Sequence, residues 1–167
     1  MKFQHIISLI VAVLAPSFSF AQTPQKGQVV YLPIYSHIWY GDKDRKGNPA
    51  QTLLSSMVSI RNTDPGASIR ILSARYFDTQ GRLIREYLPV PVTVPAFATH
   101  ELFVEYQDSS GGSGANFAIV WESEGEVSPP LVEAIHARLD AGRSVVFSTS
   151  GVTIPGRKGT EAGGKTR

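Results

Sequence analysis

The chain has 167 residues, of which 42% are hydrophobic and 18% are charged, and it contains 15 glycines, 11 prolines and no cysteine. This length and composition exclude a multidomain machine, a collagen-like repeat, a disulfide scaffold and a metal or cluster site held by cysteine ligands. What remains is one ordinary globular domain, whose composition alone names neither a reaction nor a partner.

The first residues have the pattern of a secretory leader. Lys2 supplies a positive charge, residues 6–15 (IISLIVAVLA) form an apolar stretch too short to span a bilayer, and Ser19-Phe20-Ala21 fits the small-x-small rule for signal peptidase. We therefore predict a signal peptide over residues 1–21, cleavage after Ala21, and a periplasmic or secreted mature protein. A retained membrane anchor is the alternative, whereas a lipoprotein is excluded because the segment lacks a cysteine.

The remaining chain divides into a flexible N-terminus (22–27), a folded domain (28–154) and a basic, glycine-rich tail (155–167) predicted to be disordered. The tail holds four basic residues and one acidic residue, so the body between leader and tail carries 11 positive and 13 negative side chains. This slightly acidic body argues against nucleic-acid binding. No stretch after the leader is apolar for long enough to cross a membrane, so we expect no transmembrane anchor once the leader is removed.

Short segments with alternating apolar and polar residues dominate the body, and turn residues separate them. Such alternation predicts antiparallel strands, here at 28–34, 54–62, 69–78, 83–87, 101–106, 116–123 and 144–149. Prolines 89, 91 and 95 indicate a crossing or an edge segment. Segment 131–139 has helical spacing of its apolar residues but also weak alternation, so either structure is possible there. Seven to eight strands without a long helix favour an all-β, immunoglobulin-like antiparallel sandwich, with a barrel as the alternative.

Several separate blocks of the sequence are similar to one family. They lie at 30–38, 41–42, 59–65, 87–88 and 109–117, and together they resemble an exported bacterial family known as domain of unknown function 3124. The resemblance extends over about residues 29–151. It implies a small, β-rich exported domain with no assigned activity, and it favours a strand over 131–139.

Two segments have the composition of a binding surface. The block 35–42 combines aromatic side chains with an imidazole and a carboxylate, and the loop 108–116 is the most glycine-rich part of the body. Loops on a rigid sandwich commonly carry recognition residues. The candidate binding residues are Tyr35, His37, Tyr40, Asp42, Ser113 and Asn116. The alternative is a sheet rim of packing aromatics, because His37 and Asp42 lie on opposite faces of a regular strand.

Patterns for specific chemistry are incomplete. The loop 42–48 begins like a calcium loop, but Lys46 stands where a third oxygen ligand is needed and Leu53 occupies the twelfth position. Gly111–Ala115 resembles a nucleophile elbow around Ser113, with His136 as a possible base, but a strand pattern follows where the elbow needs a helix. The histidines at 37, 100 and 136 are far apart in the sequence, so a soft-metal carrier would require a fold that brings His37 and His100 together.

The sequence thus favours a non-enzymatic, exported binding module for an unknown protein, glycan or small molecule, with no cofactor and no catalytic residue predicted. The alternative is a metal-dependent or hydrolytic periplasmic protein. Its site would lie around His37 and Asp42, with His100 or the acidic pair Glu101 and Glu105 as further candidates.

Overall fold

The computed structural model describes residues 23–155, and all regular structure within them is β-strand. The predicted signal peptide and the predicted tail beyond Pro155 lie outside the described residues. None of the described residues belongs to a helix that would reach across a lipid bilayer. The strands are β1 (Gln25–Ile34), β2 (His37–Lys43), β3 (Pro49–Leu53), β4 (Ser55–Arg61), β5 (Ile69–Phe77), β6 (Leu83–Glu86), β7 (Val92–Val94), β8 (Thr99–Val104), β9 (Ala115–Val127), β10 (Leu131–Asp140), β11 (Arg143–Ser150) and β12 (Val152–Thr153).

Two antiparallel sheets form the sandwich. The first sheet has the order β12-β1-β9-β5-β6, with β7 also paired to β5, and the second has the order β11-β10-β4-β8. The remaining strands, β2 and β3, pair only with each other as a hairpin. The predicted all-β antiparallel sandwich is therefore confirmed. The predicted strands all exist, and the proline-rich segment forms the short strand β7 at the margin of the first sheet.

Alternation along the strands places one set of side chains between the sheets. In β4 the inward residues Ser56, Val58 and Ile60 are fully buried, while Met57 on the other face is exposed. Each fully buried aliphatic or aromatic side chain contributes roughly 1.5–3 kcal/mol relative to an exposed one. The largest buried apolar side chains are Trp121, Tyr76, Phe117, Leu32, Ile34, Leu54, Ile60, Ile69, Ile71 and Ile119.

The segment 131–139, for which the sequence allows a helix or a strand, is a strand. Residues 131–140 form β10, which pairs with β4 on one side and β11 on the other. Val132, Ala134 and His136 point into the sandwich, as a period of two requires. Pairing on both edges outweighs the local helical spacing, because the propensity of a short segment is a weak preference beside tertiary contacts.

Candidate ligand-binding cleft

The β2–β3 hairpin, residues 37–53, is largely exposed. All residues of β2 after Ile38 are exposed, including Trp39 and Tyr40. At the tip, the Oδ1 atom of Asp44 accepts hydrogen bonds from the backbone N–H groups of Lys46 at 2.8 Å and Asn48 at 2.9 Å. This carboxylate oxygen therefore fixes the turn in the segment that begins like a calcium loop.

A bulge in β2 interrupts the regular pairing of the hairpin. Tyr40 pairs with Ala50 but Lys43 already pairs with Pro49, so β2 holds two extra residues between these pairs. Gly41 within this bulge has a φ of 69°, which a residue without a Cβ adopts at little cost. His37 remains near the base, edge-on to Trp39 with ring centroids 4.9 Å apart, and no hydrogen bond or ion pair joins it to Asp42.

A cleft of about 600 Å³ lies between one side of the hairpin and the end of the β10–β11 pair. The hairpin contributes Ile38, Tyr40, Gln51 and Thr52. The strand pair contributes Arg138, Asp140, Arg143 and Val145. Of the six predicted binding residues, only Tyr40 lines this cleft.

Arg138 is held in place by contacts in three directions. Its Nε atom donates to Asp140, its Nη1 atom donates to Thr52 Oγ1 at 2.9 Å, and its guanidinium carbon lies 5.3 Å from the centre of the Tyr106 ring. The hydrogen bond to Asp140 raises the pKa of Arg138. Because Thr52 belongs to β3, Arg138 also links the hairpin to the sandwich.

Arg143 lies on the opposite side of the two-residue turn from Asp140, with which it forms a backbone pair. Gly142 in this turn has a φ of 85°, as a tight hairpin requires. Arg143 makes no ion pair with the described residues, because the nearby Asp140 is engaged with Arg138. The cleft thus contains one neutralised and one unneutralised arginine.

Tyr35 faces the interior and not the cleft. Its ring lies edge-on to His136 with centroids 5.7 Å apart and to Phe147 at 5.6 Å. Next to it, the buried Ser36 donates its backbone N–H to the Gly112 carbonyl at 3.0 Å. The two predicted binding segments therefore meet, but they do so through backbone, and neither Ser113 nor Asn116 lines the cleft.

The glycine-rich loop packs closely on the first sheet. The Gly111 carbonyl accepts hydrogen bonds from the Thr79 N–H at 2.9 Å and its hydroxyl at 3.0 Å, and Thr79 Oγ1 accepts one from the Gly114 N–H at 3.0 Å. A Cβ atom on Gly111 would overlap the hydroxyl oxygen of Tyr76. This hydroxyl shares a hydrogen bond of 2.9 Å with Ser36 Oγ. The loop is therefore a packing element.

His136 is paired with a serine other than the predicted Ser113. Its Nδ1 atom lies 2.8 Å from Ser56 Oγ, and its Nε2 atom lies 3.1 Å from Thr149 Oγ1, which donates to the Pro33 carbonyl at 2.8 Å. Thr149 therefore accepts from Nε2–H, and Nδ1 accepts from the serine hydroxyl. Ser56 and His136 are both 0% exposed, and burial lowers the pKa of His136 to about 4. No substrate reaches this dyad.

Comparison with known proteins identifies the family. The family model described as "Protein of unknown function (DUF3124)" matches residues 27–154. The chain belongs to this family. The match confirms the resemblance inferred from the sequence blocks. No curated protein matches this DUF3124 chain at a significant level.

Among solved structures, the DUF3124 chain is similar to the crystal structure of Thermotoga maritima 1070. The two chains are 10% identical, and the superposition covers 75% of the DUF3124 chain and 92% of the other, with a TM-score of 0.41.

The features needed for metal or serine chemistry are not assembled in residues 23–155 of the DUF3124 protein. No group of three or more His, Cys, Asp or Glu side chains in this range is close enough to hold a metal ion, a result that covers His100, Glu101 and Glu105. The chain leaves the loop around Ser113 as β9, so the strand–turn–helix geometry of a nucleophile elbow is missing there.

Sequence reasoning missed most of the cleft. Ile38, Thr52, Arg138 and Arg143 belong to four different strands and form no motif in the sequence. One signal was available: Ala141-Gly142 stands between two alternating segments, which is typical of a two-residue hairpin. Recognising that hairpin would have placed Arg143 opposite Asp140.

Proposed function

We propose that this DUF3124 protein is exported and acts as a non-enzymatic binding module whose ligand occupies the cleft beside the β2–β3 hairpin. The observation that carries the proposal is the cleft itself, about 600 Å³ in volume and lined by aromatic, aliphatic and charged side chains from two separate elements. Small-molecule sites commonly have this volume and this mixture of apolar walls and few polar groups.

A small organic molecule, or the end of a larger one, suits this site. The cleft is concave, and the Arg138–Thr52 hydrogen bond joins the two elements that line it. Two exposed aromatic side chains lie on the hairpin, where Trp39 is 51% and Tyr40 is 46% exposed. Exposed aromatic rings on a rigid framework supply contact area at low entropic cost, so the hairpin is suited to cover one side of a bound molecule.

Binding at the cleft is tested by screening small aromatic and aliphatic fragments against the mature chain (22–167) by two-dimensional NMR. We expect shifts at Ile38, Tyr40 and Val145. The variant Val145→Trp fills the cleft and should abolish them. Val146→Trp is the matched control, because Val146 lies on the opposite, exposed face of β11. Fragments that bind elsewhere, or that still bind Val145→Trp unchanged, would contradict the proposal.

Export is supported by the leader pattern and is tested separately. The full chain is expressed in a bacterium, and the product is recovered by cell fractionation and weighed by intact mass spectrometry. We expect a mature protein that begins at Gln22 in the periplasm or medium. Ala21→Leu should leave the precursor uncleaved, because signal peptidase requires a small residue at that position. A cytoplasmic, full-length native product would contradict export.

A further inference from the structure

We propose that the ligand of the cleft carries a carboxylate on a flat, largely apolar body, and that Arg143 binds the carboxylate. This inference rests on the proposed binding function of the cleft. It assigns a chemical class to the ligand and a specific role to Arg143, whose side chain forms no ion pair with the described residues.

The first step concerns the charge of Arg143. An arginine beside a concave, partly apolar surface is usually paired with an anion. The attraction between the two charges is stronger there than in open water, because the effective dielectric constant is lower. Asp140 is its nearest carboxylate along the β-hairpin, but Asp140 hydrogen-bonds Arg138. With Arg138, Asp140 and Arg143 together, the cleft carries one excess positive charge.

The excess charge is local. The described residues carry 11 basic and 13 acidic side chains, so the domain as a whole is slightly negative. The net charge of the protein therefore does not attract an anion, and the electrostatic attraction at the cleft comes from Arg143. The slight net negative charge of the domain disfavours a polyanion such as a nucleic acid, and a single unneutralised guanidinium matches a single negative charge.

The second step concerns the shape of the rest of the ligand. Ile38 on the hairpin and Val145 on β11 form apolar walls of the cleft. The half-exposed ring of Tyr40 belongs to the same strand as Ile38 and also lines the cleft. A flat ring stacks on an aromatic side chain and excludes water from both faces. Arg138 is already occupied by Asp140, Thr52 and the ring of Tyr106, so it supplies a fixed wall and leaves Arg143 to meet the charged group.

The test uses two probes of nearly the same shape, one with a carboxylate and one with a neutral amide in its place. Indole-3-acetate and indole-3-acetamide are titrated into the mature chain, and dissociation constants are obtained from NMR shifts at Tyr40 and Val145. A charge-assisted hydrogen bond to an arginine fork corresponds to about tenfold or more in affinity, so we expect the carboxylate to bind at least about tenfold more tightly than the amide.

Variants assign the preference to one residue. Arg143→Gln should bring the two dissociation constants to within about twofold, because the neutral amide side chain does not distinguish acid from amide by charge. Arg45→Gln is the matched control: it removes one positive charge from the exposed hairpin tip, outside the cleft, and should keep the preference. Arg143 is exposed, so the folded spectrum of Arg143→Gln should match that of the native chain.

The outcomes separate the two proposals. Equal binding of acid and amide at the cleft, or an unchanged preference in Arg143→Gln, overturns the carboxylate inference and leaves the binding function standing. No shift at the cleft with either indole, together with no cleft binder in the fragment screen, overturns both.

Discussion

The glycine-rich loop at 108–116 and the β2–β3 hairpin at 37–53 differ in how they contact the sandwich. The loop is fixed by hydrogen bonds to Thr79 and by the close approach of Gly111 to the Tyr76 hydroxyl. The hairpin contacts the sandwich near its base, where Arg138 bonds Thr52, and its outer residues are exposed. The loop is held against the sandwich, with Gly111 and Ala115 buried, whereas the hairpin extends away from it.

This difference shows what each kind of residue contributes. Glycines at 111 and 112 allow the backbone to approach Tyr76 and Thr79 at distances that a side chain would prevent. The hairpin instead has large aromatic residues that the core does not cover. Substitutions in the loop should therefore change stability, and substitutions in the hairpin should change binding.

The largest effect is expected at Gly111. Gly111→Ala places a methyl group into the Tyr76 hydroxyl and within 2.6 Å of the Ala115 Cβ position. Relieving the overlap requires movement of the fully buried Tyr76, which also bonds Ser36. Because overpacking costs typically 1–3 kcal/mol, and a buried hydroxyl that loses its partner adds to this, we expect a loss of about 3 kcal/mol in the free energy of unfolding. Urea denaturation measures it.

Gly66→Ala is the matched control for this prediction. Nothing lies within 4 Å of a methyl group at Gly66, and its φ is outside the left-handed region. We expect a change within about 0.5 kcal/mol. If both variants had the same stability, the close packing of the loop would be refuted.

A second large effect should appear with pH at His136. Burial lowers the pKa of this imidazole from 6.5 to about 4, so the folded protein keeps it neutral while the unfolded chain takes up a proton near pH 6.5. Between these values the unfolded state binds more protons, and stability falls as the pH decreases. The full shift corresponds to about 3 kcal/mol of stability, present above pH 6.5 and lost by about pH 4. Urea titrations at several pH values test this.

The pH prediction has its own controls. His136→Gln should flatten the dependence between pH 6.5 and 4. The pKa values of Asp64 and Asp78 are lowered by backbone hydrogen bonds, so their contributions begin to be lost only as the pH falls towards the ordinary value of 3.8 and affect only the acidic end of this window. Should the variant fail to fold, NMR titration of the His136 ring in the native protein measures the pKa directly. A native-state pKa near 6.5 would contradict the prediction.

Alternation and turn residues predict the sandwich because both are local patterns. In β4 the sequence shows directly which side chains point inward. The strand identity of 131–140 depends instead on pairing with β4 and β11, which no local pattern contains. The cleft depends on tertiary structure in the same way. The sequence points to Tyr40 because it stands in a short block of aromatic and polar residues, which is a local pattern. Arg143 lacks a counter-ion because Asp140 is hydrogen-bonded to Arg138, which is a tertiary arrangement.

The partner of the buried His136 likewise depends on tertiary structure. The sequence suggests His136 as a possible base for Ser113, because only the residue types, serine and histidine, are known at that point. The fold places it 2.8 Å from Ser56, a residue that looks in the sequence like any other small polar position of a strand. Because Ser56 and His136 are both buried, their pair has a structural role and not a catalytic one. Their burial follows from the register of the strands, which determines the residues that face the interior.

The smallest effect on stability, and the clearest separation of the two regions, is expected at Tyr40. Its ring is 46% exposed and makes no hydrogen bond with the described residues, so Tyr40→Ala should change the free energy of unfolding by less than about 0.5 kcal/mol. The same variant removes one wall of the cleft and should weaken indole-3-acetate binding severalfold. Urea denaturation and NMR titration on one sample measure both quantities. A loss of stability above about 1 kcal/mol would mean that the hairpin belongs to the packed body after all, because surface substitutions without a structural role do not cost that much.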